Sequence, residues 1–318
     1  MNVLFLVQKD QRAILDELYQ GVAAHCTCDL RWLDSADQRN LRAWFKRNVD
    51  VTRYDRILFF LRFKQEIRQV SFIRTVPNLV ILEHDAYQNY ITCKYTGKFS
   101  EHYRHLPWVR VISSGAQVTR RLREEGVDAH FVPKGYDHTL VGELGLVRDI
   151  ELGFVGSLKS VAYAQRKAFL ESLAAVEDLL ITRTESGAEY NHMLNRIRFF
   201  VSADVGMGEY MIKNFEAMAA GCVLFAYDQG EEENAALGFT DMGNVVLYRD
   251  LAQLREKLSI LREQPALAAR IAAQGQALVQ GRYGFNSIGA QVVECMRAPL
   301  RPTPVPGRLA RLRNALGI

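Results

Sequence analysis

The chain reads as an α/β protein built from two Rossmann-like, doubly wound domains that face each other across a cleft. Three observations predict this. Apolar, strand-like runs alternate with helical patterns, as in parallel sheets whose two faces are covered by helices. The alternation begins at Val3 and starts afresh at Asp149. The length of 318 residues suits two domains of roughly 150 residues, each large enough to bury its own core. The expected division is a first domain over 1–148, a second over 149–296, and a Pro- and Arg-rich tail over 297–318.

Taken in order, residues 3–7 form a continuous apolar run suited to a central strand. A helical pattern over 11–25 places Ile14, Leu15, Leu18 and Val22 on one side. Strands are predicted at 29–33, 57–61, 76–82, 109–113 and 129–133, with a helix over 116–125. The second half repeats the scheme. A strand over 149–157 ends in the Gly156 turn, and a helix over 166–176 follows. Short strands at 179–181 and 199–201 flank a helix over 189–196. Then come the helix carrying Glu216, a strand over 222–226, a strand over 244–248, and long helices over 250–263 and 265–282.

Composition narrows the function classes. The net charge of +4 with a pI near 8.7 suits a protein handling anionic substrates or an anionic membrane. It falls short of the basic density of a dedicated nucleic-acid binder, so no nucleic-acid partner is expected. Cys26, Cys28, Cys93, Cys222 and Cys295 form no metal-ligand pattern and read as reduced cytosolic thiols. The apolar start is short and lacks a basic flank, and no run reaches the roughly 18 to 20 apolar residues of a membrane span. A cytoplasmic protein is the expectation. The basic tail segment containing Arg308, Arg311 and Arg313 suits peripheral contact with anionic lipid, or a solvated terminal helix.

The most informative stretch runs from Met211 to Ala226. It carries a helix start, an acidic residue at Glu216, a small-residue face ending in Gly221, and a buried strand. The unpaired N–H groups of a helix start attract diphosphate, and a carboxylate a turn further on can accept from ribose hydroxyls. An ordinary helix–strand unit closed by a glycine is the competing reading.

Three features together carry a resemblance. They are the turn Phe154-Val155-Gly156-Ser157-Leu158, the following Arg166, and the run Asn214-Phe215-Glu216-Ala217-Met218-Ala219-Ala220-Gly221. This order resembles the C-terminal half of Leloir glycosyltransferases of the GT-B fold, of the family-four type and its spore-maturation-protein-like relatives, over about residues 152–293. The resemblance implies a sugar transferase using a nucleotide-diphosphate-sugar donor without a metal or other cofactor, acting on a glycan or glycolipid acceptor in cell-surface polysaccharide or lipopolysaccharide synthesis. It implies retention of anomeric configuration, with the donor diphosphate assisting acceptor deprotonation.

By the same resemblance Glu216 binds ribose, Gly156 and Ser157 admit the diphosphate, and Arg166 with Lys159 neutralises the leaving charge. Stabilising charge that grows in the transition state is what accelerates such a step. Gly208, Glu209, Tyr210, Met211 and Asn214 would line the donor site, the glycine loop presenting its N–H groups. Two departures stand out. The family's second glutamate falls at Gly208, with Glu209 adjacent, and Ser157 replaces an expected arginine. Lys213 is a further cation candidate, though a solvated lysine is the simpler expectation. In the first domain His84 and Asp85, at the end of a strand, resemble the family's cleft-edge pair and are candidates for sugar contact, orientation or base catalysis. The stretch 87–108, with His102, Arg104, His105 and several tyrosines, reads as an acceptor loop or as surface. Asp137 follows a strand at the expected domain crossing. Glu231-Glu232-Glu233 reads as a solvated loop. Two alternatives stand beside the transferase: a nucleotide-sugar epimerase of the same fold, and a degenerate nucleotide-sugar-binding protein.

Overall fold

The computed structural model describes residues 1–9 and 14–302. Among them, β1 (Asn2–Gln8), β2 (Thr27–Leu33), β3 (Arg56–Phe60), β4 (Leu79–Glu83), β5 (Arg110–Ser113) and β6 (Asp128–Phe131) form an all-parallel sheet in the order β2-β1-β3-β4-β5-β6. A second parallel sheet holds β7 (Ile150–Val155), β8 (Leu179–Thr182), β9 (Ile197–Ser202), β10 (Val223–Tyr227) and β11 (Val246–Tyr248) in the order β11-β10-β9-β7-β8. Val3 through Val7 are fully buried, which explains why β1 is apolar without alternation: helices cover both of its faces.

Register brings the strand ends together. Val7 pairs with Phe60, Glu83 with Ser113, and Ser113 with Phe131. The carboxyl ends of the first sheet therefore form one edge, and ligands bind at such an edge where the strand order reverses. In the second domain Gly221 closes the Ile212–Ala219 helix in the left-handed region, at φ +79°. There the Cys222 N–H reaches back to the Ala217 carbonyl at 3.0 Å, a turn that favours glycine.

The tertiary structure revises the boundary at the chain's end. The helix Phe285–Arg297, which the sequence reading did not predict and whose residues the expected bounds put in the second domain, packs on the Asp16–Ala24 helix of the first. Gly21 and Gly289 meet at the crossing, where a Cβ on Gly289 would stand 2.2 Å from the Gly21 carbonyl carbon. Two first-domain arginines satisfy the carbonyls at this helix's end. Arg110 donates to Cys295 O at 2.7 Å and to Pro299 O at 2.8 Å, and Arg56 donates to Met296 O at 2.7 Å. The Gly289→Ala variant is expected to lose about 1–3 kcal/mol through overpacking, read as a lowered urea midpoint with an unchanged slope.

The chain thus crosses between domains twice, after β6 and again near Tyr283, and the crossings are joined. Tyr136 N donates to Tyr283 O and Phe285 N to Tyr136 O, both at 2.9 Å. Residues 303–318 of the expected 297–318 tail lie outside the described residues, as does part of the predicted first helix.

Candidate active site

A cleft of about 620 Å³ lies between the two sheets' carboxyl edges. Phe60 at the end of β3, His84 and Asp85 after β4, and Lys134 after β6 form its first-domain wall. Gly156 and Ser157 after β7, the loop from Arg183 to Gly187 after β8, and the start of the Ile212–Ala219 helix form the opposite wall. Asp137, Leu140 and Val141 of the first crossing line it as well.

On the second-domain wall the helix begins without a side-chain cap, and Ile212 and Lys213 line the cleft there. Uncapped N–H groups and the helix dipole suit an anion. Lys213, expected as a solvated residue, is half-buried, with its ammonium 4.8 Å from the Phe154 ring centroid. A Cβ on Gly156 would stand 2.7 Å from the Lys213 Nζ, so glycine at 156 makes room for this cation. Burial, followed by the nearby Arg166 charge, lowers the Lys213 pKa to about 8. Among the described residues Lys213 is in no ion pair.

Glu216 lies one turn further along. Tyr190, from the Ala188–Arg196 helix, donates its hydroxyl to Glu216 Oε2 at 2.8 Å. Burial raises the Glu216 pKa to about 7, while the Tyr190 hydrogen bond and Lys213 pull it down.

Arg166 also reaches the cleft, but as half of a pair. It is 1% exposed and bonded to the buried Asp204, and its guanidinium lies 4.2 Å from the Tyr163 ring centroid. Asp204 further accepts from Asn214 Nδ2 at 2.8 Å, Ser202 Oγ at 3.0 Å and Met211 N at 3.3 Å. Burial works the other way, yet Arg166, Lys213 and Asn214 hold the Asp204 carboxyl below its ordinary range.

On the first-domain wall, His84 packs edge-on against Phe60 with ring centroids 5.0 Å apart. Its Nε2 has no hydrogen-bond partner among the described residues. Burial, reinforced by Lys134, drops its pKa to about 3, so the imidazole stays neutral. Asp85 is open to the cleft, and the crowding of the cleft walls raises its carboxyl pKa against the pull of Lys134.

Several sequence-predicted donor residues do not line the cleft. Lys159 is exposed on the turn beyond it. Tyr210 turns inward, donating to Asn234 Oδ1 at 2.5 Å. Asn214 is buried against Asp204. Glu209 is sealed between Ser114 and Lys134. Three N–H groups of the glycine loop are satisfied within the protein: Gly208 N donates to Gln229 Oε1 at 2.9 Å, Met207 N to Asp204 O at 3.2 Å, and Met211 N to Asp204 Oδ2 at 3.3 Å. Polar groups satisfied internally leave little for a ligand.

Elsewhere, Glu233 is buried on the Glu231–Leu237 helix, not solvated in a loop. Tyr87, His102 and Tyr103 are buried in the first domain, His102 facing Glu66 at 3.7 Å, while Arg104 and His105 are exposed, and no residue of 87–108 lines the cleft. Among the described residues no group of three or more His, Cys, Asp or Glu side chains could hold a metal ion.

Sequence reasoning missed Lys134, Tyr190 and the 183–187 loop. The strand-end rule that singled out His84 applies equally to Lys134 after β6. Tyr190 was legible only as a helix residue, since its contact with Glu216 is tertiary.

Residues 160–294 match the family model described as glycosyl transferase-like. Over that stretch the chain is similar to glycosyl transferases, and its two facing parallel sheets take the GT-B fold. Solved GT-B structures match it over most of its length. Anabaena HepE, solved with UDP and glucose, has a TM-score of 0.66 at 15% identity, covering 93% of this chain and 99% of HepE. A Rickettsia africae glycosyltransferase has a TM-score of 0.61 at 11% identity, covering 93% and 97%. Staphylococcus aureus TarM, solved with UDP, has a TM-score of 0.58 at 10% identity, covering 80% of this chain and 58% of TarM. At these identities the likeness is one of fold. No curated protein matches the chain in sequence. In the GT-B arrangement seen here, the second domain supplies Lys213 and Glu216, and the first domain supplies His84 and Asp85.

Proposed function

We propose that this protein transfers a sugar from a nucleotide-diphosphate-sugar donor to a hydroxyl of a glycan or glycolipid acceptor. The observation that carries the reading is the pairing of Lys213 and Glu216 on one uncapped helix start, facing His84 and Asp85 across a cleft. In its ionised form Glu216 accepts from ribose hydroxyls, fixing the nucleoside. The diphosphate then lies against Gly156 and Lys213. As the glycosidic bond breaks, negative charge grows on the diphosphate, and a pre-placed ammonium stabilises that charge more than it does the ground state. The neutral His84 offers Nε2 as a hydrogen-bonding partner to the sugar or acceptor. Asp85 orients the acceptor hydroxyl by accepting a hydrogen bond from it.

Finer features belong to the same proposal. Retention of configuration, with a donor phosphate oxygen taking the acceptor proton, follows from the family resemblance, as do a hexose donor and a role in cell-surface glycan synthesis. Transfer without a resident metal is supported by the Lys213 ammonium, which would serve the diphosphate in a metal's place. A cytoplasmic enzyme that touches the membrane through its basic tail fits the charge of 308–313. Among the described residues no helix is long and apolar enough to cross a membrane.

The test begins with thermal shifts for UDP-, GDP-, dTDP- and CDP-sugars, since ligand bound to the native state raises its melting point. UDP-glucose comes first, because HepE was solved with UDP and glucose. The stabilising donor is then followed for turnover. Release of nucleoside diphosphate supports transfer, epimerised donor points to the epimerase, and binding without turnover to a degenerate binder. If no nucleotide sugar stabilises the protein, the reading fails. Glu216→Ala is expected to weaken UDP binding by about 1.5–3 kcal/mol, read by calorimetry on the folded variant. Unchanged affinity would remove Glu216 from the site.

A further inference from the structure

Glu209 follows β9 in the second domain, yet its carboxylate lies inside the first. Ser114 Oγ donates to Oε2 at 3.1 Å, and the Lys134 ammonium is paired with Oε1. Gly115 leaves the opening, since a Cβ there would stand 2.7 Å from Glu209 Oε2 and 2.8 Å from its Cβ. The side chains of Lys134 and Glu209 are 4% and 0% exposed, so no donor atom reaches Glu209 unless Lys134 moves. The surroundings reinforce the seat. Glu233, also of the second domain, accepts from Ala116 N at 2.7 Å and Gln117 N at 3.2 Å, at the start of a first-domain helix. Gln117 bonds to Gln229 O, and Gln229 in turn holds Gly208 N and Asp204 O. Met207 packs into the first domain's core.

The loop seated in this way, 204–211, runs directly into the helix that bears Lys213 and Glu216. Lys134 stands on the same wall as His84 and Asp85. We propose that Lys134 and Glu209 are positioning residues for sugar transfer: their ion pair seats the 204–211 loop on the first domain and so sets the separation of the donor wall from the acceptor wall. Glu209 then touches no donor atom, in contrast to the role its place in the sequence suggests. This inference rests on the transferase reading. Its structural half, the seat itself, stands or falls without a ligand.

The full-length Glu209→Gln variant tests it, because the amide keeps the shape and can still accept from Ser114 while the ion pair is lost. Three readings are taken: UDP affinity by calorimetry, turnover of the donor identified above, and hydrogen exchange in peptides spanning 112–120 and 204–212. The expected pattern is UDP affinity within threefold of the parent, turnover at least tenfold lower, and exchange at least tenfold faster in both peptides with β1 and β10 still protected. Lys134→Met should give the same pattern. If Glu209→Gln does not fold, Lys134→Arg keeps the charge in a different shape and should lower turnover with UDP affinity intact. A tenfold loss of UDP affinity with unchanged exchange would make Glu209 a donor ligand and overturn the proposal. Unchanged turnover would overturn it as well, reducing the pair to a structural contact. A parent protein that binds no nucleotide sugar would defeat the transferase reading, while the exchange result would still report on the seat.

Discussion

Lys213→Ala is expected to lower donor turnover by roughly two to three orders of magnitude, the effect of removing one pre-placed group that stabilises transition-state charge. The loss should appear mainly in kcat, because the ammonium acts most strongly on charge that develops as the sugar leaves. Arg183 lines the wall from the loop after β8, while Arg166 and Lys213 both flank the Phe154 ring beside Gly156, and the partners of these two decide between them. Arg166 is already bonded to Asp204, whereas Lys213 is in no ion pair among the described residues. A pH profile checks the same assignment. Glu216 must be ionised to accept from ribose, and its pKa is raised to about 7, so UDP binding should strengthen as pH rises through that value. Lys213 must keep its proton, and its pKa is lowered to about 8, so UDP binding should weaken again above that value. Uridine, which lacks the diphosphate, should show the acidic limb alone. A Lys213→Ala protein that turns over donor at the parental rate, or a UDP profile without the alkaline limb, would remove the lysine from the mechanism.

Arg166→Ala is expected to cost stability first, by about 3–5 kcal/mol, the usual result of stripping one partner from a buried ion pair. Asp204 is 0% exposed, so without the guanidinium it holds a charge that burial opposes. Its remaining partners Ser202, Asn214 and the Met211 amide replace only part of what is lost. That cost is a large share of the roughly 5–15 kcal/mol that holds a domain folded. Urea unfolding at low temperature is the measurement, with Arg166→Met/Asp204→Asn as the comparison. Removing both charges should recover much of the loss, because neither is then left unpaired. A single variant as stable as the parent would mean that Asp204 is satisfied without Arg166. The pair would then be free to serve the diphosphate, as the sequence order suggests.

The two variants show where sequence reading stopped. The strand and helix order of both domains was legible, since each element carries its own periodicity and each sheet is built of parallel strands from successive units. His84, Asp85 and Gly156, singled out in the sequence by their places at strand ends, all line the cleft. The last helix was a different matter. Residues 285–297 have a helical pattern whichever domain they join, and the decision lay in backbone contact between Gly21 and Gly289, 268 positions apart in the chain.

The amino-acid order alone determined the two parallel sheets, the turn at Gly156 and the helix that carries Lys213 and Glu216, because these follow from local periodicity and from the chemistry of strand and helix ends. Only the tertiary structure decided which charged groups stand open in the cleft. Arg166 meets Asp204 38 positions away, and Lys134 meets Glu209 75 positions away. Whether a buried charge is free or neutralised depends on such distant partners, since desolvation acts on every charge taken from water and is offset only where an opposite charge or a hydrogen bond arrives from elsewhere in the fold.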